Sequence, residues 1–315
     1  MYEQLIDNFI HQEKLPDTYR VGAERFLLPL AASLSAAVSS GSDSTRIIGI
    51  NGAQGTGKST LALFLTRVLQ HDGLVVANLS IDDFYLTHAE RKQLAKTQHP
   101  LLRSRGVPGT HDTTLLRTTL RALTEASEGA RVSLPRFDKA VDDRLPNQDW
   151  PEVSGPADII LLEGWFIGLA PQCSQALAEP INELERQEDA DGRWRHWVNE
   201  RLAQDYQDVF AGLDRLLLLK APSFEQVYEW RNLQEEKLRQ RQTGGAAPGI
   251  MEAAALRRFI QHFERLTRHC LDSLPQQADV VLELDAEHRL KSMTNKADQV
   301  SGRRPDSSTE SLEPP

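Results

Sequence analysis

A glycine-rich segment near the start of the chain constrains the fold more than any other feature. Residues 52–59 read Gly-Ala-Gln-Gly-Thr-Gly-Lys-Ser and match the pattern G-x-x-x-x-G-K-[ST]. The apolar, β-branched residues 46–50 precede this segment, and residues 60–65 follow it with a helical pattern. A glycine-rich loop between a strand and a helix turns backbone N–H groups around an anion, and the helix N-terminus adds its positive end. The sequence therefore predicts a phosphate-binding P-loop.

The residues of this loop have separable roles toward a nucleotide. Lys58 is expected to reach the β- and γ-phosphates of ATP, and the Ser59 hydroxyl is expected to hold Mg²⁺. The whole loop contributes backbone donors and side chains. The predicted ATP-binding residues are Gly52, Ala53, Gln54, Gly55, Thr56, Gly57, Lys58, Ser59 and Thr60.

Further apolar runs predict the sheet that surrounds the loop. They lie at residues 74–81, 159–162, 216–219 and 280–284, with helical segments between them. Strands that alternate with helices form a parallel sheet with both faces covered. We therefore predict an α/β fold: a P-loop NTPase-type three-layer sandwich with a mainly parallel sheet and an inserted acceptor and lid region.

Composition divides the chain into three parts. Residues 1–44 are predicted to be a helical segment and linker, and residues 45–290 the P-loop domain. Within that domain, the polar, Arg- and Pro-rich residues 88–150 are interpreted as an inserted acceptor lobe with one helix near residues 113–126. Residues 291–315 have almost no apolar side chains, so we predict a disordered tail.

A cationic segment at residues 222–245 is interpreted as a lid helix. Ser223 and Gln226 form a capping box at its start, and Arg231 follows. An arginine on a helix that closes over ATP stabilises the charge of the transferring phosphoryl group. The alternative is a surface helix on which Arg231 pairs with Glu235 four residues later.

Overall composition excludes several classes of protein. Hydrophobic residues make up 40% and charged residues 26%, so the chain is globular. The net charge of −9 argues against a nucleic-acid partner. The apolar residues 26–38 are too few to span a bilayer, and the N-terminus does not resemble a signal peptide. Cys173 and Cys270 have no metal-type spacing, and we expect a soluble, cytoplasmic protein without a membrane partner.

Two acidic residues flank the apolar run at residues 159–162. Ligands of open α/β sheets bind outside the carboxyl ends of the strands. Glu163 lies at that end, whereas Asp158 lies five residues earlier, roughly 16 Å away at the rise of a strand. We therefore predict Glu163 in the Mg²⁺ shell and Asp158 as a solvated strand start.

Two more carboxylates follow the run at residues 74–81. Asp82 and Asp83 are adjacent, which is costly near a phosphate site unless one of them has a function. A carboxylate beside the γ-phosphate accepts the proton of an attacking hydroxyl. Asp82 is the predicted base, and Asp83 is assigned to a helix cap or to support of the metal. The alternative is that both cap a turn.

The P-loop alone does not distinguish a kinase from other nucleotide-binding proteins. Residues 295–298 (NKAD) match the guanine-reading motif N-K-x-D of GTPases. We reject the match because these residues lie in the polar tail rather than after a buried strand. A regulatory protein that binds a nucleotide but transfers no phosphoryl group needs no acceptor pocket. Residues 105–112 and 135–139 place cations and turns in the inserted lobe, where they suit an acidic acceptor, so we favour transfer.

In several of these segments, the chain resembles the P-loop D-glycerate 3-kinase family of plants and fungi, within the phosphoribulokinase/uridine kinase/pantothenate kinase group. The resemblance spans about residues 46–290. It rests on five segments, which are residues 51–60 (NGAQGTGKST), 80–87 (SIDDFYLT), 105–112 (RGVPGTHD), 135–139 (PRFDK) and 163–165 (EGW). The five segments together are specific to this family, while the first alone is not.

The resemblance implies ATP-dependent phosphorylation of a hydroxyl, with D-glycerate giving 3-phosphoglycerate. It assigns Asp82 as the catalytic aspartate and Arg231 as the lid arginine, with Lys58 also stabilising the transferring group. The acceptor-binding residues are expected among Asp83, Tyr85, Arg105, His111, Arg136 and Arg144. Glycerate-specific members carry Gly-Arg-Gly-Asp-Arg after the 135–139 segment, and here residues 141–144 read Val-Asp-Asp-Arg. Another small hydroxyl acceptor therefore remains open, and the sequence does not predict an oligomeric state.

Overall fold

The computed structural model describes residues 2–39, 44–241 and 253–296. The strands are β1 (Arg46–Gly52), β2 (Val76–Ser80), β3 (Arg131–Ser133), β4 (Phe137–Asp138), β5 (Asp143–Arg144), β6 (Glu152–Ser154), β7 (Ile159–Gly164), β8 (Arg215–Lys220), β9 (Val280–Leu284) and β10 (Leu290–Asn295). The α-helices are α1 (Glu3–Glu13), α2 (Tyr19–Gly22), α3 (Leu28–Ser39), α4 (Lys58–His71), α5 (His88–Thr97), α6 (Thr113–Glu125), α7 (Glu183–Glu188), α8 (Arg193–Arg201), α9 (Gln207–Ala211), α10 (Phe224–Arg241) and α11 (Ala253–Gln277).

A six-stranded sheet forms the centre of the molecule, in the order β10-β9-β8-β1-β7-β2. β1 is parallel to both of its neighbours, β7 and β8, and β2 and β9 extend the parallel arrangement on either side. All five strands that the sequence predicted are confirmed. The mainly parallel sheet and the α/β fold class are therefore confirmed as well.

The strands bury side chains on both faces of the sheet. Ile48 and Ile50 of β1 face a core that α1, α3 and α4 cover. Leu79 of β2 and Leu162 of β7 face the opposite core, which α6, α8 and α11 cover. Strands buried on both faces need a nearly continuous apolar sequence. These strands could therefore be recognised in the sequence as short apolar runs.

The N-terminal helices are part of the first core. Phe9 of α1 packs edge-on against Phe64 of α4, with 5.2 Å between ring centroids. The helical run Tyr19–Ser39 is long and apolar enough, by length and composition alone, to cross a membrane. In this structure Leu27, Leu30 and Leu34 of that run are buried against α4 and the sheet.

The predicted disordered tail is wrong for its first residues. Residues 291–295 belong to β10, which pairs antiparallel with β9 at the edge of the sheet. The first residue of the N-K-x-D match, Asn295, is therefore the last residue of a strand. Asn295 pairs with Val280, the first residue of β9, so Asn295 lies at the amino edge of the parallel strands and away from the P-loop. Residues 297–315 lie outside the described residues.

The region from residue 88 to residue 150 carries α5, α6, the strand pair β4 with β5, and β3, whose partner β6 follows directly after the region. The predicted helix near residues 113–126 is confirmed as α6. Leu116 and Leu123 of α6 are buried in the same core as the sheet. In the predicted lid, α10 begins after Ser223, whose hydroxyl accepts a 3.2 Å bond from the Gln226 N–H, and residues 242–245 lie outside the described residues.

Candidate active site

The P-loop leaves the central strand β1 and enters α4 at Lys58. Gly55 and Gly57 have φ angles of 80° and 91°, which side chains with a Cβ rarely adopt. A Cβ on Gly57 would meet no atom within 4 Å, so the loop is open on that side. The loop is closed internally by Thr56, whose hydroxyl donates a 2.8 Å bond to the Ala53 carbonyl oxygen. This backbone shape is the one that an anion cradle requires.

Glu163 lies beside the loop at the carboxyl end of β7. Its Oε1 accepts a 2.8 Å hydrogen bond from the Ser59 hydroxyl, and its Oε2 lies 3.9 Å from the Lys58 ammonium. The Glu163 side chain is buried, and among the described residues Oε2 has no hydrogen-bond partner. Asp158, at the other end of β7, instead accepts a 2.7 Å bond from the Val75 N–H.

Asp82 and Asp83 lie on a 3₁₀ turn that follows β2. Ser80 begins this turn by accepting a 3.3 Å bond from the Asp82 N–H. Ser80 is in register with Glu163 of the neighbouring strand, so the turn and the P-loop lie at the same edge of the sheet. The structure thus brings the two predicted carboxylates, Asp82 and Glu163, to the mouth of the loop.

The Asp82 carboxylate has a cation and a hydroxyl as partners. Lys139 binds its Oδ2 at 2.7 Å, and the Tyr85 hydroxyl donates to its Oδ1 at 2.7 Å. Burial alone would raise the pKa of Asp82, but the charges of Lys139 and Lys58, together with these two hydrogen bonds, lower it to about 2. Asp82 is therefore ionised at neutral pH and has open lone pairs for another donor.

Asp83 faces the inserted region rather than the P-loop. Arg136 binds its Oδ2 at 3.0 Å, and the Phe137 N–H donates to its Oδ1 at 3.2 Å. Burial raises the pKa of Asp83 despite the opposing charge of Arg136. Asp83 and Arg136 thus anchor the β4–β5 hairpin to the turn that carries Asp82.

His111 packs in the aromatic wall behind Asp82. Its ring stacks on Tyr85 at 4.6 Å, and its Nδ1 lies 2.8 Å from the Tyr206 hydroxyl. Burial lowers the pKa of His111 to about 3, although Asp82 opposes this shift, so the imidazole is neutral at physiological pH. Burial and the Asp82 charge raise the pKa of Tyr85 well above its usual value, so Tyr85 remains a hydrogen-bond donor.

Arg105 and Arg144 are held by internal partners. Arg105 pairs with Asp142, and its guanidinium lies over the Phe137 ring at 5.5 Å from the centroid. Arg144 donates to the Tyr85 carbonyl oxygen at 2.9 Å and pairs with Asp112 at 3.4 Å. Both arginines therefore lie near Asp82: Arg105 contacts Phe137, and Arg144 contacts Tyr85.

Sequence reasoning missed two cations that organise the site. Lys139, which binds Asp82, was part of the 135–139 segment but was not chosen as a site residue. Arg91 is almost completely buried and donates to the carbonyl oxygens of Leu86, Arg103 and Asp142. The only signal for Lys139 was its position after the Pro-Arg-Phe-Asp segment, and nothing in the helical pattern of α5 distinguishes Arg91.

The P-loop is covered by α10, the predicted lid helix, and by the β9–β10 turn. The His288 ring stacks on Trp230 with 3.8 Å between centroids, and its Nε2 donates a 2.8 Å bond to the Gly55 carbonyl oxygen. Arg231, the predicted lid arginine, has its guanidinium 5.9 Å from the centroid of the Phe259 ring. Beside the loop, a cavity of about 880 Å³ extends between Thr60, Tyr19 and the β9–β10 turn.

An ionised carboxylate and a phosphate cradle at one edge of a parallel sheet define a P-loop kinase, an ATP-dependent phosphotransferase that acts on a hydroxyl group. Comparison with known proteins gives the family. The chain belongs to the Phosphoribulokinase / Uridine kinase family, whose model matches residues 47–177.

Individual relatives agree with this assignment. The chain is 37% identical over 230 residues to the uncharacterized kinase mug58 of Schizosaccharomyces pombe, covering 69% of this chain and 78% of the relative. It is 33% identical over 201 residues to the chloroplastic D-glycerate 3-kinase of Arabidopsis thaliana, covering 62% of this chain and 42% of the relative. The fold matches that of the D-glycerate 3-kinase from Cryptococcus neoformans with a TM-score of 0.69 at 24% identity, over 86% of this chain and 99% of that one.

Proposed function

We propose that the protein is a D-glycerate 3-kinase, which transfers the γ-phosphoryl group of ATP to the primary hydroxyl of D-glycerate. The observation that carries the proposal is the Asp82 carboxylate, held by Lys139 and Tyr85 at the sheet edge that also carries the P-loop. The similarity to the plant enzyme named for this reaction supports the choice of acceptor. An acidic acceptor also fits a region that carries Arg105, Arg136 and Arg144, which pair with Asp142, Asp83 and Asp112.

The transfer uses this chain's residues in distinct roles. The acceptor oxygen forms a bond to the γ-phosphorus while the bond from that phosphorus to the bridging oxygen of ADP breaks. The proton of the acceptor hydroxyl passes to Asp82. Because the pKa of Asp82 is about 2, the carboxylate is a weak base, so its main contribution is to orient the hydroxyl and to accept the proton late. Lys58 and Arg231 are proposed to offset the phosphoryl charge.

Ser59 and Glu163 fit a magnesium ion. Mg²⁺ prefers oxygen ligands and is usually held by one or two protein groups together with substrate phosphates and water. The hydroxyl of Ser59 and the buried Oε2 of Glu163, which has no hydrogen-bond partner among the described residues, are oxygen ligands of this kind. The described residues contain no cluster of three or more His, Cys, Asp or Glu side chains that would suit a different metal. Mg²⁺, when bound, supplies positive charge to the β- and γ-phosphates.

The nucleotide base is assigned to the cavity beside the P-loop. The cavity is lined by Thr60 and Leu61 of α4 on one side and by Leu27 and Leu290 on another. Its volume of about 880 Å³ lies in the range of small-molecule sites and is mostly apolar, which suits a base and ribose. ATP would then lie with its base under the N-terminal helices and its phosphates in the loop.

Tyr85, His111 and Arg144 are proposed to form the wall of the acceptor site, with Asp83 and Arg136 holding the hairpin over it. Residues 141–144 read Val-Asp-Asp-Arg and depart from the glycerate-specific pattern, so the alternative is a different hydroxyl acceptor, as in other kinases of this group. We further propose that the enzyme is soluble and cytoplasmic, and that its partner is this small molecule rather than nucleic acid or membrane, as its composition and charge of −9 predict.

The function is tested by ADP release from Mg·ATP with D-glycerate, L-glycerate, pantothenate, uridine, ribulose 5-phosphate and a blank without acceptor. We expect a signal that depends on D-glycerate and a product phosphorylated at the primary hydroxyl. A signal with a different acceptor would retain the kinase and reject D-glycerate. ATP binding without turnover on any acceptor would favour a nucleotide-binding protein that does no transfer.

A further inference from the structure

The proposed acceptor carries a charge close to its reacting hydroxyl. In glycerate, the carboxylate and the primary hydroxyl are separated by two carbon–carbon bonds of about 1.5 Å each, so their oxygens lie within roughly 5 Å of one another. When the hydroxyl is on Asp82, the carboxylate therefore lies a few ångströms from a second carboxylate. Two like charges at that spacing are unfavourable unless a cation lies between or beside them.

The arginines of the region are already bound to other groups. Arg105 shares Asp142 with Arg91 and His88, whose contacts to that carboxylate are 3.0 and 3.3 Å. Arg136 is held by Asp83 and by the Pro135 carbonyl oxygen, both at 3.0 Å. Arg144 binds the Tyr85 carbonyl oxygen and Asp112. None of these three guanidinium groups contacts the Asp82 carboxylate in the described hydrogen bonds.

Lys139 differs from these arginines in its position and in the solvent exposure of its side chain. Its ammonium is 2.7 Å from Asp82 Oδ2, which places it directly beside the proposed base. Its side chain is 60% exposed, whereas that of Arg136 is 31% exposed, and it lies in the turn of the β4–β5 hairpin. A lysine ammonium is a compact charge on a flexible stem, with donors for two anions at once.

We propose that Lys139 determines the specificity for an acidic acceptor: its ammonium binds the acceptor carboxylate while it remains beside Asp82. This inference rests on the proposed function, because it assumes an acidic substrate. Lys139 then has two effects. It offsets the repulsion between the acceptor and Asp82, and it gives an acceptor with a carboxylate an advantage over a neutral alcohol that has the same hydroxyl.

The test compares Lys139→Met and Lys139→Arg with the wild type, using D-glycerate and its neutral analogue glycerol as acceptors. Methionine keeps the length of the stem and removes the charge. We expect Lys139→Met to raise KM for D-glycerate about 10- to 100-fold, as the loss of a charged hydrogen bond implies, with KM for ATP within about twofold. KM for glycerol is expected to change little. Lys139→Arg is expected to restore most of the preference for the acid.

Lys92→Met is the matched control, because Lys92 is an exposed lysine on α5 of the same region. It is expected to leave both acceptors unaffected. Equal losses on D-glycerate and glycerol in Lys139→Met would assign Lys139 to the orientation of Asp82 alone and overturn the proposal. An unchanged KM for D-glycerate would overturn it as well.

The two proposals fail in distinguishable ways. If the wild type does not phosphorylate D-glycerate, the proposed function fails, and the role of Lys139 is then tested by binding. Calorimetric titration of the ADP complex with D-glycerate decides: equal affinity in wild type and Lys139→Met overturns the role, and weaker affinity in the variant supports it.

Discussion

Asp82 shows how one side chain is kept charged in a partly buried position. Burial favours the neutral acid, but Lys139 and Lys58 outweigh it, so the pKa falls to about 2. The carboxylate is ready to accept a hydrogen bond at any physiological pH. The same two lysines provide positive charge near the proposed place of phosphoryl transfer.

Replacing Asp82 with Asn tests the proposed base directly. The amide keeps the size of the side chain but does not take up the proton, so we expect turnover to fall by a factor of about 10² to 10⁴. ATP affinity is expected to stay within a few-fold, because the P-loop is untouched. ADP release and nucleotide titration measure the two effects. Turnover at the wild-type rate would remove Asp82 from this role.

Glu163→Gln tests the proposed metal ligand. The amide oxygen of Gln can still accept the Ser59 hydroxyl bond, but it lacks the charge that attracts a cation. We expect the Mg²⁺ concentration for half-maximal activity to rise about tenfold. Asp158→Asn, which changes the acid at the other end of β7, is the control and should leave the Mg²⁺ dependence as it is. An equal shift in both variants would contradict the assignment.

At the scale of elements, the five parallel strands could be predicted and the antiparallel edge strand β10 could not. The five parallel strands are mostly apolar. β10 reads Leu-Lys-Ser-Met-Thr-Asn, and no residue of it is fully buried. An edge strand that is partly solvated is held mainly by its ladder to β9, which leaves little hydrophobic signal.

The same division applies to the candidate site. Strand ends predicted that Asp82 and Glu163 would lie near the P-loop, because parallel strands share a carboxyl edge. The carboxylates with which the lysine and arginine side chains pair could not be predicted in this way. Lys139 reaches Asp82 across 57 positions of sequence, and Arg105 reaches Asp142 across 37. Local patterns carry no information about which of several charges meet in the folded chain.

The β9–β10 turn is expected to control nucleotide affinity. His288→Ala removes the stack on Trp230 and the bond to the Gly55 carbonyl oxygen, so the P-loop loses a support. We expect KM for ATP to rise about 5- to 20-fold, as one hydrogen bond and one ring contact imply, with kcat nearly unchanged. Steady-state kinetics with ATP varied provide the measurement. His11→Ala, at an exposed histidine of α1, is the control and should behave as wild type; a similar rise in KM there would contradict the assignment.

At the scale of the whole molecule, the buried histidines link stability to pH. Burial lowers the pKa of His111 to about 3 and that of His262 to about 4, whereas both are near 6.5 in an unfolded chain. Between these values the unfolded chain binds more protons than the folded one. Stability from these groups is therefore complete above about pH 6.5 and declines as the pH falls toward 4.

Urea unfolding at pH 7, 6 and 5 measures this linkage. Each histidine is expected to contribute up to about 1.4 kcal/mol per pH unit to the slope of the unfolding free energy. His262→Gln removes one titrating group, so its slope should be shallower than that of the wild type by up to this amount. Parallel slopes would show that His262 is not protonated preferentially in the unfolded chain.

The position of His288 on the P-loop also has a consequence for biosynthesis. β1 and the loop are made early, but His288 is separated from Gly55 by 233 positions of sequence. A ribosome-bound chain therefore cannot form the bond between His288 and Gly55 until the β9–β10 hairpin has emerged. Because contacts over such distances form slowly, we expect the docking of this hairpin on the P-loop to be a late step of folding. We therefore expect full nucleotide affinity only after the hairpin has been translated.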